Sequence, residues 1–292
     1  MYCCAPGTSK SEVPPLQVKL GLVQMSMSND YTSNLNKAAR LVKEAGKKGA
    51  QVVCLPELFD SRYFPQKQRS ELRAETIPGE TTQALSRVAK SNKVVLVGGS
   101  IYERARRRNY NTSVVFSDDG RIIGKYRKVH IPNDQGFYEQ AYFSSGDEYQ
   151  VVKTKYGKLG VLICFDQWYP EAARILKLMK ANIIFYPTAI GRVKGIDAVE
   201  GNWQDAWESV QKGHAIANTV VVASVNRVGR EEDITFWGGS FVYDQFGNKL
   251  IQADDSEGTF VTTCDLSLSN RIETGWGFMR NRKPRTYSRL LK

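Results

Sequence analysis

Residues 158–176, KLGVLICFDQWYPEAARIL, contain the junction that decides the fold. The apolar run 159–163 is typical of a strand buried inside a sheet. It ends at Cys164, and after a sharp turn a helix is predicted from Pro170 onward. A strand-to-helix elbow of this kind projects one side chain into a cleft and leaves nearby backbone N–H groups free. Cys164 is therefore a candidate nucleophile, although a cysteine at a strand end is also a common apolar core filler.

Strands and helices alternate on both sides of this junction. Residues 30–49 are predicted to form a helix that begins at Asp30 or Thr32 and stops at Gly49. Residues 93–102, KVVLVGGSIY, read as one strand, and the later elements hint at a second, similar half of the chain. Strands this apolar need cover on both faces, as in layered α/β folds. The pattern predicts an α/β protein.

The chain has the size and composition of one large globular domain. Of its 292 residues, 41% are hydrophobic and 24% are charged, and no Pro/Gly/Ser-rich linker divides them. We predict a flexible leader over residues 1–15 and a single domain over 16–292 with a basic C-terminal tail. No apolar run approaches the roughly 20 residues of a membrane helix, and the leader lacks the pattern of a secretory signal.

Charge and cysteine usage exclude several classes of function. The net charge of +11 is concentrated in Arg104–Arg108 and in the tail, without any nucleic-acid-binding motif, so it is interpreted as solvated surface charge. Five cysteines without paired spacing indicate free thiols and a reducing, cytoplasmic location. With two histidines and no CxxC pair, a structural zinc site is not expected. We therefore predict no nucleic-acid partner, no membrane association and no metal.

A nucleophilic thiol needs an activating base, and the sequence offers two kinds. A free thiol with a pKa of about 8.5 is mostly protonated at neutral pH. His130 or His214 would give a Cys–His enzyme, which is one alternative. Glu57 is the other base, because it closes the apolar strand QVVCLPE at the strand end where α/β active sites gather. Burial there would raise its pKa and suit it to proton transfer.

Lys128 completes the set of candidate reactive side chains. It lies in the extended run RIIGKYRK and alternates in phase with Tyr126 and His130, so we expect these three side chains to face inward. A buried ammonium would stabilise a developing oxyanion and offset the charge of Glu57.

Three motifs that carry these residues resemble the nitrilase superfamily of carbon–nitrogen hydrolases. They are LPELF with Glu57, YRKVHIP with Lys128 and LICFDQWYPEAAR with Cys164, in the order typical of the family. The resemblance implies a four-layer α-β-β-α sandwich, a Glu-Lys-Cys triad, no metal or organic cofactor, and homodimers or larger homo-oligomers. It also implies that Glu139 is a second glutamate beside the triad, and that the backbone N–H of Phe165 is an oxyanion donor.

Finer motifs, YPTAIG and HAIANTVVVASVNRVG among them, resemble the branch of the family that hydrolyses N-carbamoylputrescine. The resemblance implies a small-molecule substrate cleaved to putrescine, carbon dioxide and ammonia. Related carbamoylases of amino-acid derivatives usually carry arginines after the cysteine, where this chain has Gln167 and Trp168. Candidate substrate-binding residues are Trp168, Tyr186, Asp197 and Glu200. Two alternatives remain: a β-ureidopropionase-like or other small-amide hydrolase, and a non-catalytic binding protein on the same fold.

Overall fold

The computed structural model of the protein describes residues 17–68 and 74–291, so the predicted leader over 1–15 lies outside the described residues. The strands, in chain order, are β1 (Gln17–Gln24), β2 (Val52–Cys54), β3 (Val95–Val97), β4 (Ile101–Ala105), β5 (Arg108–Phe116), β6 (Ile122–Arg127), β7 (Val151–Thr154), β8 (Gly157–Val161), β9 (Ile183–Pro187), β10 (Gly191–Val193), β11 (Val221–Val225), β12 (Val228–Glu231), β13 (Ile234–Trp237), β14 (Phe241–Tyr243), β15 (Lys249–Gln252) and β16 (Gly258–Asp265).

The α-helices are α1 (Tyr31–Lys47), α2 (Glu80–Asn92), α3 (Pro170–Leu178), α4 (Asp197–Glu200), α5 (Trp203–Asn218) and α6 (Leu268–Gly275). Short 3-10 helices cover Phe64–Gln66, Glu139–Ala141, Cys164–Trp168, Pro284–Thr286 and Ser288–Leu291. No helix in the described part of the chain is both long enough and apolar enough to span a membrane.

Local sequence determines where helix α1 begins, which face it buries and where it ends. Asp30 Oδ1 accepts a hydrogen bond of 2.5 Å from Ser33 N, which caps the first turn, as the sequence predicted. The residues that α1 buries recur at helical spacing along one face: Asn34, Ala38, Leu41, Val42 and Ala45. Gly49 follows the helix with a φ of +87°, a left-handed conformation that costs glycine little.

Two large mixed sheets form the centre of the molecule. One has the order β16-β1-β2-β3-β5-β4, with β6 also paired to β5, and the other has the order β15-β14-β11-β9-β8-β7. In each sheet three neighbouring strands are parallel, β1, β2 and β3 in one and β8, β9 and β11 in the other. Each sheet thus contains a group of three parallel strands, which agrees with the two similar halves suggested by the sequence.

The sheets pack face to face and helices cover their outer faces. Leu20 and Leu22 of β1 share one hydrophobic core with Leu159 and Val161 of β8. That core continues to α3 and α5 on the far side of the second sheet, while α1 and α2 pack on the far side of the first. Each fully buried leucine or valine in these layers contributes about 2 kcal/mol. The predicted four-layer α-β-β-α sandwich is confirmed.

Two local features differ from the sequence prediction. The single strand predicted over residues 93–102 is divided into β3 and β4, because Gly99 has a φ of +59°. A Cβ at Gly99 would lie 2.1 Å from the Pro56 carbonyl oxygen, so only glycine permits this close approach. A third sheet, β10-β13-β12, was not predicted because its strands are short and follow irregular segments.

The topology places two predicted residues at equivalent positions. Glu57 lies three residues beyond the carboxyl end of β2, and Cys164 lies three residues beyond that of β8. Both parent strands belong to the parallel centres of their sheets. Carboxyl ends of parallel strands are where side chains from separate parts of an α/β chain converge.

Candidate active site

Cys164 occupies a strained turn in the wall of a cavity. Its φ is +43°, a left-handed conformation that a non-glycine residue adopts at a cost of about 1–3 kcal/mol. Its side chain is 6% exposed and lines a cavity of about 700 Å³ together with Glu139, Phe165 and Trp168. The strand is thus followed by an elbow that presents the thiol to open space, as the sequence predicted.

Asp166 holds this elbow in place from the side away from solvent. It is fully buried, and its Oδ2 accepts hydrogen bonds from Ile163 N at 2.9 Å and from the Tyr126 hydroxyl at 2.7 Å. Its Oδ1 lies 3.0 Å from His130 N and 2.7 Å from His130 Nδ1. Tyr126 and His130 therefore both face inward, as predicted, but they contact Asp166 of the elbow rather than the Cys164 thiol.

Lys128 joins two buried carboxylates into one cluster. Lys128 Nζ donates to Glu57 Oε1 at 2.9 Å and to both carboxylate oxygens of Glu139, at 2.7 and 2.8 Å. All three side chains are fully buried. Glu57 Oε2 is buried and has no hydrogen-bond partner among the described residues. The cluster thus holds one fixed cation, two acceptors and a carboxylate oxygen that is available for a proton.

Asn111 and Tyr63 support this cluster, and sequence reasoning missed both. Asn111 Nδ2 donates to Glu57 Oε1 at 2.8 Å, and the Tyr63 hydroxyl donates to Glu139 Oε1 at 2.7 Å. A signal for Asn111 exists, since an amide on an apolar strand such as YNTSVVF is usually hydrogen-bonded inside the fold. For Tyr63 the sequence offers no such signal.

Burial and the charges of neighbouring groups together set the ionisation of the site. Burial raises the pKa of Cys164 well above its usual value, with Glu57 adding to the effect and Lys128 opposing it. Burial would lower the pKa of Lys128, but Glu139 and Glu57 outweigh it and raise that pKa. Burial also raises the pKa of Glu139 from 4.5 to about 7, against the charge of Lys128. A neutral thiol therefore stands beside a permanent ammonium, and its attack must be coupled to proton transfer.

Neither histidine occupies the position of a base for the thiol. His214 Nε2 donates to the Gln167 carbonyl oxygen at 2.8 Å, and burial lowers the pKa of His214, so its ring is held neutral. His130 faces Asp166. In the described part of the chain, the hydrogen bond of Cys164 Sγ is to the Ala189 carbonyl oxygen, at 3.9 Å. The geometry favours Glu57 over a Cys–His pair.

The predicted substrate-binding residues are divided between the cavity and the core. Trp168 and Glu200 line the cavity. Tyr186 is fully buried in the hydrophobic core, stacked 6.4 Å from the His214 ring, and does not line the cavity. Asp197 is the first residue of α4, and its side chain lies outside what the structure describes. Asp134, which was not among the predicted residues, also lines the cavity.

Comparisons with known proteins identify the family of the chain. The family model described as "Carbon-nitrogen hydrolase" matches residues 19–273. An N-carbamoylputrescine amidase from Arabidopsis thaliana is 38% identical, covering 94% of this chain and 95% of the relative. A citrullinase from Francisella tularensis is 36% identical, covering 94% of this chain and 98% of the relative.

Solved structures resemble the chain over the same extent. A carbon-nitrogen hydrolase from Helicobacter pylori G27 superposes with a TM-score of 0.88 at 37% identity, covering 94% of this chain and 99% of that one. Nit3 of Saccharomyces cerevisiae, a nitrilase-superfamily member, has a TM-score of 0.79 at 29% identity, covering 91% and 97%. The chain belongs to the carbon–nitrogen hydrolase family of the nitrilase superfamily.

Proposed function

We propose that this amide-hydrolysing enzyme cleaves N-carbamoylputrescine through a covalent intermediate on Cys164. The observation that carries the proposal is the cavity itself. It presents the Cys164 thiol beside the Glu57–Lys128–Glu139 cluster, and its lining includes the carboxylates Asp134, Glu139 and Glu200. Among the described lining residues there is no lysine or arginine. Such a cavity suits a ureido group at one end of a substrate and an ammonium at the other.

In the first half of the reaction, Glu57 Oε2 takes the thiol proton as Cys164 Sγ attacks the ureido carbon. The oxyanion that forms is stabilised by Lys128 and by the backbone N–H of Phe165, which directly follows the nucleophile. Glu57 then transfers its proton to the leaving nitrogen, so that ammonia departs. A thiocarbamate remains, in which Cys164 carries the substrate minus ammonia.

In the second half, water replaces the thiolate. Glu57 accepts a proton from water, which attacks the thiocarbamate carbon, and the proton returns to Cys164 Sγ as the C–S bond breaks. The released carbamate decays to putrescine and carbon dioxide. Glu139 fixes Lys128 through two hydrogen bonds, so that the ammonium remains aimed at the oxyanion during both halves.

The choice of substrate rests on charge and on relatives. The Arabidopsis relative is an N-carbamoylputrescine amidase, as are relatives from tomato, potato and rice. Citrulline also has a ureido group, but its carboxylate would face a cavity whose described charges are negative. Gln167 and Trp168 stand where an arginine would be needed for that carboxylate. An amine-terminated substrate is therefore favoured over a β-ureido acid, citrulline or a carboxylate-bearing amide.

We further propose the cytoplasm as the location and a homo-oligomer as the assembly. Support for a reducing compartment comes from Cys54, Cys164 and Cys264, which are free and buried in the structure. The assembly is implied by family resemblance, and size-exclusion chromatography with light scattering tests it.

Ammonia release across a matched panel of substrates tests the function. We expect N-carbamoylputrescine to have a kcat/KM at least about 100-fold above those of citrulline and N-carbamoyl-β-alanine, since an unpaired buried carboxylate costs several kcal/mol. Preference for either carboxylate-bearing compound would contradict the amine assignment. If no compound of the panel is hydrolysed by the folded protein, the binding-protein alternative is favoured.

Replacing Glu200 with glutamine tests whether this carboxylate binds the terminal ammonium of the substrate. Losing one partly exposed charge contact is expected to raise KM for N-carbamoylputrescine about 5- to 10-fold, with kcat little changed. The matched substrate is N-carbamoylbutylamine, which lacks the terminal ammonium and whose KM should not respond. An equal increase in KM for both compounds would show that Glu200 acts on shape rather than on charge.

A further inference from the structure

Arg227 is a fully buried cation that the proposed reaction does not use. It lies between β11 and β12, and its Nη2 donates to the Ser61 carbonyl oxygen at 2.7 Å and to the Leu58 carbonyl oxygen at 3.5 Å. Both acceptors belong to the loop that follows Glu57. Arg227 thus ties the segment carrying the candidate base to the carboxyl end of a strand in the opposite sheet.

A second set of contacts leads from Arg227 to Glu139. Arg227 Nη2 lies 3.4 Å from Glu231 Oε1, and Glu231 Oε2 accepts a hydrogen bond of 2.6 Å from Tyr63 N. The Tyr63 hydroxyl in turn donates to Glu139 Oε1 at 2.7 Å. The Arg227–Glu231 pair therefore fixes both ends of the loop whose side chains meet Lys128.

Packing alone does not account for an arginine at this position. Its Nε and Nη1 atoms are buried without a hydrogen-bond partner among the described residues. The guanidinium lies 5.1 Å from the centre of the Phe236 ring and 5.9 Å from that of Tyr63, which compensates only part of the lost hydration. An apolar side chain would fill the same space without that cost. We therefore look for a role of the positive charge of Arg227 in the site.

We propose that Arg227 is a positioning residue, which holds the Glu57–Tyr63 loop in place and supplies the second buried positive charge that the carboxylate cluster needs. The proposal rests on the proposed function only in that Glu57 and Cys164 form the reacting pair. When Glu57 and Glu139 are both ionised, Lys128 neutralises only one of their two negative charges. Arg227, although it is also paired with Glu231, supplies further positive charge near the other.

The direction of the electrostatic effect follows from the groups that face Arg227. These are Glu231 on β12 and three residues of the loop after β2, namely Glu57, Asp60 and Tyr63. Glu231 also faces Arg62, whose Nε lies 3.8 Å from Glu231 Oε2. The cluster beyond them holds Lys128, Glu139 and Cys164. Removing the positive charge makes each deprotonation in this cluster harder, whereas removing the negative charge of Glu231 makes each deprotonation easier.

The test compares Arg227→Met, Arg227→Lys and Glu231→Gln with the wild type. Two profiles are measured against pH: kcat/KM, and the rate at which iodoacetamide alkylates Cys164, read from the mass of the peptide containing it. For R227M we expect kcat/KM to fall about 100-fold, because the loop is misplaced. We expect the acid limbs of both profiles to move about one pH unit upward. R227K should recover part of both effects.

The direction in which E231Q moves the two pH profiles decides the test, and E231Q disturbs the loop less than R227M does. A glutamine oxygen can still accept the hydrogen bond from Tyr63 N, so the loop keeps its tie while the countercharge of Arg227 disappears. The acid limbs are then expected to move downward, opposite to R227M. Arg174→Met is the matched control, since Arg174 donates to the Ala217 carbonyl oxygen outside the cavity and should leave both profiles in place.

Shifts of the same sign in R227M and E231Q, or no shift in E231Q, would overturn the proposal. So would wild-type kcat/KM in R227M. If R227M does not fold, the sign of the E231Q shift still decides. The alkylation profile needs no substrate, so an enzyme that hydrolyses nothing in the panel would defeat the proposed function without affecting this test.

Discussion

Replacing Cys164 with alanine is expected to reduce kcat for ammonia release by roughly 10⁴-fold or more, because the covalent route loses its nucleophile. The fold should survive, since the thiol is a small side chain at the edge of a cavity and fills little core volume. Continuous ammonia detection measures the rate, and circular dichroism with thermal unfolding measures the fold.

Cys264→Ala is the matched control. Cys264 is also a free, fully buried cysteine, but it lies on β16 in the hydrophobic core. Its replacement should cost stability of about 1 kcal/mol and leave kcat unchanged. Activity of C164A within tenfold of the wild type would exclude the thiol as nucleophile.

Replacing Lys128 with methionine is expected to affect both activity and stability. Lys128 is the charged donor proposed for the oxyanion, so its loss should cost about 10³-fold in kcat. It also leaves the buried carboxylates of Glu57 and Glu139 without their cation, which should reduce the free energy of unfolding by about 3–5 kcal/mol near pH 8.

The stability change in K128M should depend on pH in a definite direction. In the wild type the pKa of Glu139 is raised from 4.5 to about 7, so the folded state binds protons more tightly than the unfolded state. Stability is therefore lost as pH rises from about 4.5 through 7. Without Lys128 the pKa of Glu139 rises further, so the total loss becomes larger and extends to higher pH.

Denaturant unfolding of K128M between pH 5 and 9 measures this dependence. Adding Glu139→Gln to K128M should restore part of the stability at pH 8 while leaving activity low. A loss of stability that is the same at pH 5 and pH 9 would show that Lys128 contributes through packing alone.

The layered α/β fold and the candidate site residues could be predicted from the sequence because both depend on local pattern. Continuously apolar strands required cover on both faces, and the elbow after residue 163 marked Cys164. Glu57 was found in the same way, because it follows a buried strand. Lys128 alternates with Tyr126 and His130 along an extended run, which predicted that its side chain faces inward. These signals lie within a few residues of each position.

The supporting residues could not be predicted because their partners are distant in the chain. Tyr63 donates to Glu139, 76 positions away, and Arg227 donates to Ser61, 166 positions away. Nothing near either residue reveals its partner. Tyr186 illustrates the converse: it was predicted to bind substrate, but every residue of β9 is buried, and Tyr186 packs in the core instead of lining the cavity. The break at Gly99 likewise depends on Pro56, which lies in the segment after β2.

The covalent intermediate on Cys164 is the most direct test of the account. The wild-type enzyme is mixed with N-carbamoylputrescine, quenched with acid within the first turnover, and analysed by intact and peptide mass spectrometry. We predict an adduct on the peptide containing Cys164 whose mass equals that of the substrate minus ammonia, and none in C164A. Release of putrescine in the first turnover with no adduct on Cys164, or with an adduct elsewhere, would contradict the account.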